Sequence, residues 1–525
     1  MNRLLPRAPA SPFASAAPVV ELVGASPRPF DGAVAAARTC YSGKGIVTAD
    51  DVARNPEQRD RIARSTYAAG HHTILQHGHF QFALANVSRQ FLWSFLHAHP
   101  FYNSEQVSQR YVEVKPDTTA IPALGGEAQA VFARAVAAQH AAYRRLIELL
   151  HPAAAREYYR IFPARKKDAR CERDVKKKAQ EAARYVLPVA THAYLYHTVS
   201  GLTLLRYWRL CEQLDAPAET RFVVGRMVEA LLAADPQFER ILEEPIALED
   251  TLEARCMAAR PAGHGAARAF AAEFDAGMQG YVSRLVSWKP NNEMLVADAV
   301  REVLGLPRAA MSDEEALRTA LDPAKNRLHG EAMTLGTLSK LSRALVHAGY
   351  TFRKRLSHTA DSQDQRHRMT PGSRPILVAH LTGEPDYVEP ALYAYAAPAR
   401  AEYRDAMARA WEAIARLRAL GVADEWVAYL LPNAVTVRFT ESADLQNLMH
   451  KHKMRLCYNA QEEIWRASVD EARQIRDVDP LVARYLLPPC GLRLLAGTRP
   501  LCPEGERYCG VPVWKLGVDE YSRVI

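Results

Sequence analysis

The feature that most constrains the fold of this chain is a segment that returns once, in altered form, in the second half. Residues 97–111 read HAHPFYNSEQVSQRY, and residues 353–367 read RKRLSHTADSQDQRH. Each copy begins with two basic residues one apart and ends in Gln-Arg followed by a ring, which matches Gln109 with Gln365 and Arg110 with Arg366. A chain of 525 residues with such a repeat is expected to contain two similar domains.

Four further landmarks recur in the same order. Val20 to Val23 with Pro27 returns as Ser283 to Val286 with Pro290, His77-Gly78 as His329-Gly330, Ser88-Arg89 as Ser342-Arg343, and Leu187-Pro188 as Leu431-Pro432. We interpret this order as a diverged tandem duplication. The first repeat is placed at residues 1–280, and the second, with a cysteine-containing tail, at residues 281–525.

Composition limits the function classes. With 48% hydrophobic and 24% charged residues, the chain is expected to be an ordinary globular protein. A formal charge of +8 suggests anionic partners, for which nucleotides qualify as well as nucleic acid, although a basic surface without a partner explains it equally. No stretch approaches 18 apolar residues, so we expect no membrane span. Eight cysteines are too few for a disulfide scaffold, which favours a cytoplasmic location.

Hydrophobic periodicity predicts alternating strands and long helices. Strands are expected at residues 19–23 and 79–87, and helices at residues 88–96, 127–150, 174–186, 202–232, 313–321, 400–420 and 460–476.

Several short motifs carry a family resemblance. They are His71-His72-Thr73, Ser88-Arg89, Ser108-Gln109-Arg110-Tyr111, Arg184 before Leu187-Pro188, and Arg455 followed by Gln461, Glu463 and Ile464. Together they resemble the flavin-dependent thymidylate synthases. The resemblance implies an α+β fold class, with two tandem domains that each have a sheet flanked by long helices. The signature of that family is an Arg-His-Arg triplet, then a Ser, then an acidic or Gln residue, and a closing Ser-x-Arg-Tyr.

Each half departs from this signature. The triplet is assigned to His97-Ala98-His99 in the first half and to Arg353-Lys354-Arg355 in the second, where Asp364 replaces the later Ser. Cys211 stands where the second half has Arg455, and Ala428 stands where the first half has Arg184. In the family the active site forms between subunits of a homotetramer. Two fused halves that each keep what the other lost would therefore complement one another, and a homodimer would imitate the tetramer.

The resemblance implies roles for individual residues. Ser108 and Arg455 are expected at the reacting nucleotide, and Gln109, Arg110 and Arg184 are expected to bind it. Arginine suits this task because its planar fork forms paired hydrogen bonds to phosphate. The candidate flavin contacts are His71, Thr73, His97, His99, Arg353, Arg355, Gln461 and Glu463. For the two histidines of the triplet and for Gln461 and Glu463, a purely structural role is the alternative.

The implied reaction is methylation of deoxyuridylate at C5 to give thymidylate. FAD would be the cofactor, with methylenetetrahydrofolate as one-carbon donor and NADPH as reductant. The alternatives are a related flavin enzyme acting on another pyrimidine nucleotide, and a catalytically retired homologue that binds nucleotide or RNA. We expect no membrane partner and no nucleic-acid partner for the enzyme.

Four cysteines in the second half form a separate candidate site. They are Cys457, Cys490, Cys502 and Cys509, the last three within a segment rich in Pro and Gly. Four thiolates can hold zinc or an iron–sulfur cluster, but this spacing matches neither a zinc knuckle nor a ferredoxin. Zinc bound by these four thiolates is a candidate cofactor, and unligated thiols in a compact tail are the alternative.

Overall fold

The computed structural model describes residues 10–97, 100–167, 169–212 and 215–525. The strands are β1 (Val19–Ala25), β2 (His79–Ser88), β3 (Asn103–Gln106), β4 (His192–Ser200), β5 (Ser283–Trp288), β6 (Gly349–Ser357), β7 (Gly372–Ser373) and β8 (Thr436–Asp444). The helices are α1 (Pro29–Thr39), α2 (Ala49–Ala53), α3 (Pro56–Ala68), α4 (Arg89–His97), α5 (Gly126–Ile161), α6 (Ala169–Ala183), α7 (Gly201–Arg209), α8 (Pro217–Ala234), α9 (Leu252–Ala258), α10 (Gly265–Met278), α11 (Asn292–Leu304), α12 (Asp313–Leu321), α13 (His358–Asp364), α14 (Ala397–Ala419), α15 (Asp424–Ala428), α16 (Leu445–Arg455), α17 (Glu462–Val478), α18 (Pro480–Ala483) and α19 (Pro489–Leu495).

The chain divides into two compact units whose boundaries do not coincide with the two halves of the sequence. Unit 1 comprises Met1–His140, Leu187–Ala262 and Arg409–Leu431. Unit 2 comprises Ala141–Val186, Gly263–Ala408 and Pro432–Ile525. Each unit thus combines the sheet of one half with a helical segment from the other half.

Unit 1 is an α+β domain built on an antiparallel sheet of strand order β1-β2-β4-β3. The alternating side chains of Phe80, Phe82 and Leu84 on β2 are buried, as their spacing predicts. They belong to a core to which α1, α4, α7 and α8 contribute. Burial of this apolar face is what fixes the register of β2.

Unit 2 repeats the arrangement, with the antiparallel strand order β5-β6-β8-β7. On β6 the buried alternate positions are Tyr350, Phe352, Lys354 and Leu356. The inward face of this strand is therefore apolar except for one lysine, which needs charged partners in the interior.

The strand register gives the correspondence between the two halves. Phe82 lies opposite His197 on β4, and Phe352 lies opposite Glu441 on β8. Both central strands end in a serine, Ser88 and Ser357, from which a helix begins at once. Ser88 therefore corresponds to Ser357.

This register tests the sequence landmarks. The match of Leu187-Pro188 with Leu431-Pro432 agrees with it, since both pairs precede corresponding strands by the same distance. The matches of Ser88 with Ser342 and of His77 with His329 are wrong. Ser88 ends β2, whereas Ser342 lies before β6 begins at Gly349. His77 lies directly before β2, whereas His329 lies in an earlier turn, well before β6.

In both units the same three side chains hold the junction between the central strand and its helix. Ser88 donates its backbone N–H and its hydroxyl to the buried Glu219, which also accepts a hydrogen bond from Tyr429. Ser357 does the same with Glu463, at 2.6 Å for each bond, and Tyr185 is the third partner at 2.6 Å. Both serines also cap the first turn of the helix that follows.

The predicted helices are confirmed at most positions. Residues 313–321 are helical over the whole predicted span, and α14 and α17 match the predicted segments to within three residues at each end. The helix predicted over residues 127–150 continues as α5 to Ile161. The single helix predicted over residues 202–232 is wrong. The segment forms two helices, α7 and α8. Pro217 stands in the first turn of α8, where its nitrogen has no hydrogen to donate to a preceding helical turn.

The buried Glu219 makes the stability of unit 1 depend on pH. Burial raises the pKa of its carboxyl from 4.5 to about 7, so the folded state keeps a proton that the unfolded state loses between these values. The contribution of this group to stability therefore falls as the pH rises from about 4.5 through about 7. We expect the melting temperature to fall less steeply between pH 5 and pH 8 in Glu219→Gln than in the wild type, because an amide does not titrate.

Thermal unfolding followed by circular dichroism measures this slope. Glu229→Gln is the matched control, since Glu229 lies on the same helix in a surface pair with Arg226. An equal slope for Glu219→Gln and the wild type would show that Glu219 is ionised throughout this range.

Candidate active site

The strand register changes which residues of the second half correspond to the basic triplet of the first half. Nine residues after Ser88 stands His97, and nine residues after Ser357 stands Arg366. The triplet position in the second half is therefore Arg366-His367-Arg368, which is a literal Arg-His-Arg. The assignment to Arg353-Lys354-Arg355 is wrong, as is the match of Arg110 with Arg366. His99, the last residue of the first triplet, lies outside the described residues.

The rejected triplet lies on β6, where strand geometry separates its side chains. Arg353 is exposed and stands over the ring of Phe274 at 5.5 Å. Arg355 pairs with Asp275 at 3.2 Å. Lys354 points into the core instead. Successive side chains of a strand face opposite sides, so these three residues do not form one cationic cluster.

Arg455, the last residue of α16, contacts the corrected triplet directly. Its Nε donates to Nε2 of His367 at 2.8 Å, and its Nη2 donates to the backbone carbonyl of Gln363 at 2.8 Å. Burial and the nearby charge of Arg455 hold the pKa of His367 well below its usual range. His367 is therefore a neutral ring that accepts at Nε2 and carries its proton on Nδ1.

Arg184 belongs to the same unit, although it comes from the first half of the sequence. Its guanidinium is buried, and its backbone carbonyl accepts a hydrogen bond from Asn433 at 3.0 Å. The neighbouring Tyr185 bonds to Glu463. Unit 2 thus contains the triplet together with Arg184 and Arg455, two of the three arginines expected to bind the nucleotide, whereas the third, Arg110, lies in unit 1.

Gln461 and Glu463 have structural contacts. Gln461 caps the start of α17 by accepting from the N–H of Ile464 at 3.2 Å, and it also donates to Tyr185. Glu463 is buried against Ser357 and Tyr185, and burial raises the pKa of its carboxyl. These contacts favour the structural role that the sequence left open for both residues.

A cluster of fully buried charges lies between α13, α16 and the sheet of unit 2. Lys354 contacts three carboxylates, those of Asp364 at 2.9 Å, Glu441 at 2.7 Å and Glu471 at 2.9 Å. Lys451 contacts Asp364 at 2.8 Å and also Glu441. We call these five residues the buried charge cluster.

The pKa shifts reflect this pairing. Burial alone would lower the pKa of Lys354, but the surrounding carboxylates raise it well above its ordinary value. Burial likewise opposes ionisation of Asp364, yet Lys354 and Lys451 hold the pKa of that carboxyl well below its ordinary value. Asp364 lies at the end of α13 and Lys451 lies on α16, so their ion pair joins the helices that lead to the triplet and to Arg455.

The corresponding positions in unit 1 carry uncharged side chains. By register and spacing they are Leu84, Phe95, His197, Tyr207 and Met227, all buried. The ring of Phe95 lies 4.9 Å from that of His197 and 4.4 Å from that of Tyr207. The two halves therefore have the same fold, but these interior positions carry ion pairs in unit 2 and apolar or ring side chains in unit 1.

The remaining candidate residues lie in unit 1. The Ser108 hydroxyl accepts from the N–H of Arg110 at 3.3 Å, and the Arg110 guanidinium stands over the ring of Tyr111 at 5.5 Å. Gln109 is buried. His71 and Thr73 are exposed, at and beside a 3-10 turn. His97, at the end of α4, makes an edge contact with Trp93 at 5.2 Å between ring centroids.

The four cysteines of the predicted metal site line one cavity in unit 2. All four are free thiols. Among the residues that the structure describes, no group of three or more His, Cys, Asp or Glu side chains already stands in metal-binding geometry.

In the same described part of the chain, every helix is too short or too polar to cross a bilayer.

A family model described as "Thymidylate synthase complementing protein" matches residues 21–237 and 284–481. These two regions cover most of the chain, one in each half. The chain therefore belongs to this family.

Two of the proteins that are similar to this chain are flavin-dependent thymidylate synthases. The flavin-dependent thymidylate synthase of Geobacter sulfurreducens (strain ATCC 51573 / DSM 12127 / PCA) is 30% identical over 182 residues, covering 34% of this chain and 73% of that protein. The flavin-dependent thymidylate synthase of Clostridium tetani (strain Massachusetts / E88) is 27% identical over 222 residues, covering 41% and 83%. A UMP/dUMP methylase, PolB from Streptomyces cacaoi, solved with 5-Br dUMP, is 20% identical over 43% of this chain and 95% of its own, with a TM-score of 0.29.

The buried charge cluster should dominate the stability of unit 2. Lys354→Ala would leave Glu471 without its lysine partner and would leave Lys451 as the lysine that contacts Asp364 and Glu441. A broken buried pair costs about 3–5 kcal/mol. We expect a loss of that size in the free energy of unfolding, measured in urea. Lys325→Ala, which removes an exposed lysine 3.9 Å from Glu315, is the control and should cost at most about 1 kcal/mol. Equal losses in the two variants would contradict this account.

Proposed function

We propose that this protein methylates deoxyuridylate at C5 to give thymidylate, with FAD as cofactor, methylenetetrahydrofolate as one-carbon donor and NADPH as reductant. Family membership supports the reaction class. The observation that carries the proposal is the contact of Arg455 with a literal Arg-His-Arg triplet, in the unit that also contains Arg184.

The chain keeps one full set of signature residues rather than two. The first half supplies Ser108-Gln109-Arg110-Tyr111 and Arg184, and the second half supplies Arg366-His367-Arg368 and Arg455. The first half has His97 in place of Arg366 and Cys211 in place of Arg455. The second half has Ala428 in place of Arg184. We infer that each chain binds one flavin and one nucleotide.

The residues present fit the groups that they would hold. Arg366 is exposed and Arg368 half-buried on either side of His367, so two guanidinium groups can face the pyrophosphate of FAD. This role replaces the one expected of Arg353 and Arg355. The flavin, when bound, supplies the hydride chemistry of the reaction.

Arg455 is suited to the nucleotide because its position is preset. Two hydrogen bonds hold its guanidinium against His367 and Gln363. Charge that develops on the uracil ring would meet a donor that needs no reorganisation. Neutral His367 leaves the positive charge of this pair on Arg455. Arg184, in the same unit, would bind the phosphate through its charged donors, and a phosphate contact of Ser108 stays a prediction of the sequence.

Several finer features stay predictions of the sequence. They are the homodimer, the cytoplasmic location and the identity of the two co-substrates. The alternatives are methylation of another pyrimidine nucleotide and nucleotide or RNA binding without turnover.

The absorbance spectrum of the purified protein is the first test. We expect the band of oxidised flavin at close to one equivalent per chain, and a shift of this band when deoxyuridylate is added, because the uracil ring would stack on the flavin. Uridylate and deoxycytidylate serve as comparison ligands and test the alternative substrates. A colourless protein that takes up no added FAD would overturn the proposal and favour the binding-protein alternative. Two equivalents of flavin per chain would contradict the inference that each chain binds one flavin.

Nucleotide affinity tests the role of Arg455. Arg455→Ala should weaken deoxyuridylate binding by about 1.5–3 kcal/mol, or roughly 10- to 150-fold in Kd, because a charged hydrogen bond is lost. Isothermal titration calorimetry on the flavin-loaded protein measures this change. Cys211→Ala is the matched control, since Cys211 occupies the same position in the first half and is buried. If Arg455→Ala binds as tightly as the wild type while Arg184→Ala does not bind, the two arginines do not share a site.

A further inference from the structure

The four cysteines of the second half reach one place from separate stretches of chain. Cys457 follows the end of α16, and Cys490 lies in the first turn of α19. Cys502 and Cys509 lie in the irregular segment after α19. All four line the same cavity. The other four cysteines of the chain, Cys40, Cys171, Cys211 and Cys256, do not line it.

The cavity has the size of a single ion site. Its volume is about 20 Å³, whereas one water molecule needs about 10–15 Å³ of such space. The thiols are not yet in coordinating geometry, so a bound ion would have to draw the four side chains inward.

We propose that Cys457, Cys490, Cys502 and Cys509 together bind one structural zinc ion. Four thiolates are a complete tetrahedral ligand set for zinc, with no position left for substrate. Each coordinated thiol releases its proton to water as its sulfur binds the metal. No oxidant or reductant takes part.

The site would attach the C-terminal segment to the helix that carries Arg455. Cys457 is two residues beyond Arg455, while Cys502 and Cys509 belong to the segment that follows α19. This segment also packs closely at Gly510, where an added Cβ would stand 2.5 Å from Ile161. A zinc ion would thus fix the end of α16 independently of the reaction proposed above.

Metal analysis of the full-length protein, purified in a reductant without metal-chelating resin, tests the proposal. We expect about one zinc per chain by mass spectrometry, since a structural site is filled in the folded protein. Cys490→Ser and Cys502→Ser should each reduce bound zinc at least fivefold. Cys256→Ser, which removes an exposed thiol elsewhere, is the control and should retain it.

A second measurement uses the wild-type protein and so does not depend on the folding of the variants. Exchange of zinc for cobalt should give the charge-transfer absorbance of thiolate bound to tetrahedral cobalt. Zinc below about a tenth of an equivalent per chain would overturn the proposal. Iron with labile sulfide, or a disulfide between any two of these cysteines, would also overturn it. None of these outcomes changes the amount of FAD that the chain binds, so the two proposals fail separately.

Discussion

The arrangement of each unit depends on one buried carboxylate. Glu219 and Glu463 each accept hydrogen bonds from the serine that ends the central strand and from a tyrosine brought by the other half of the sequence. A buried carboxylate without such partners would be strongly destabilising, so it fixes the strand end, the helix start and the tyrosine together. In unit 2 that tyrosine is the neighbour of Arg184, which connects this structural contact to the candidate site.

The interiors beside these carboxylates have diverged in the two halves. Rings such as Phe95 and Tyr207 fill the position in unit 1, and the buried charge cluster around Lys354 fills it in unit 2. Both solutions satisfy the requirement that buried groups be packed or paired. The ionic solution has an additional consequence, because its Lys451–Asp364 pair holds together the helices that position Arg455 and the triplet. Divergence of the core thus affects the helices that carry the candidate site.

Membership of the thymidylate synthase complementing protein family rests on matches in both halves, yet neither half carries the whole signature. Unit 2 contains the triplet, Arg455 and Arg184 because it combines the sheet of the second half with residues 141–186 of the first. A duplicated chain can lose residues from each copy as long as one full set remains. The cysteines of the tail are an addition of the second half, outside this set.

The sequence by itself determined the α+β fold class, most of the helices and the family, because periodicity and short motifs are local properties. It misplaced the triplet of the second half, since Arg353-Lys354-Arg355 and Arg366-His367-Arg368 both fit a basic pattern. Only the tertiary structure separated them: strand pairing places the first on β6 with Lys354 in the core, and the second after α13. The buried charge cluster likewise required tertiary structure, because ion pairing between residues far apart in sequence leaves no periodic trace.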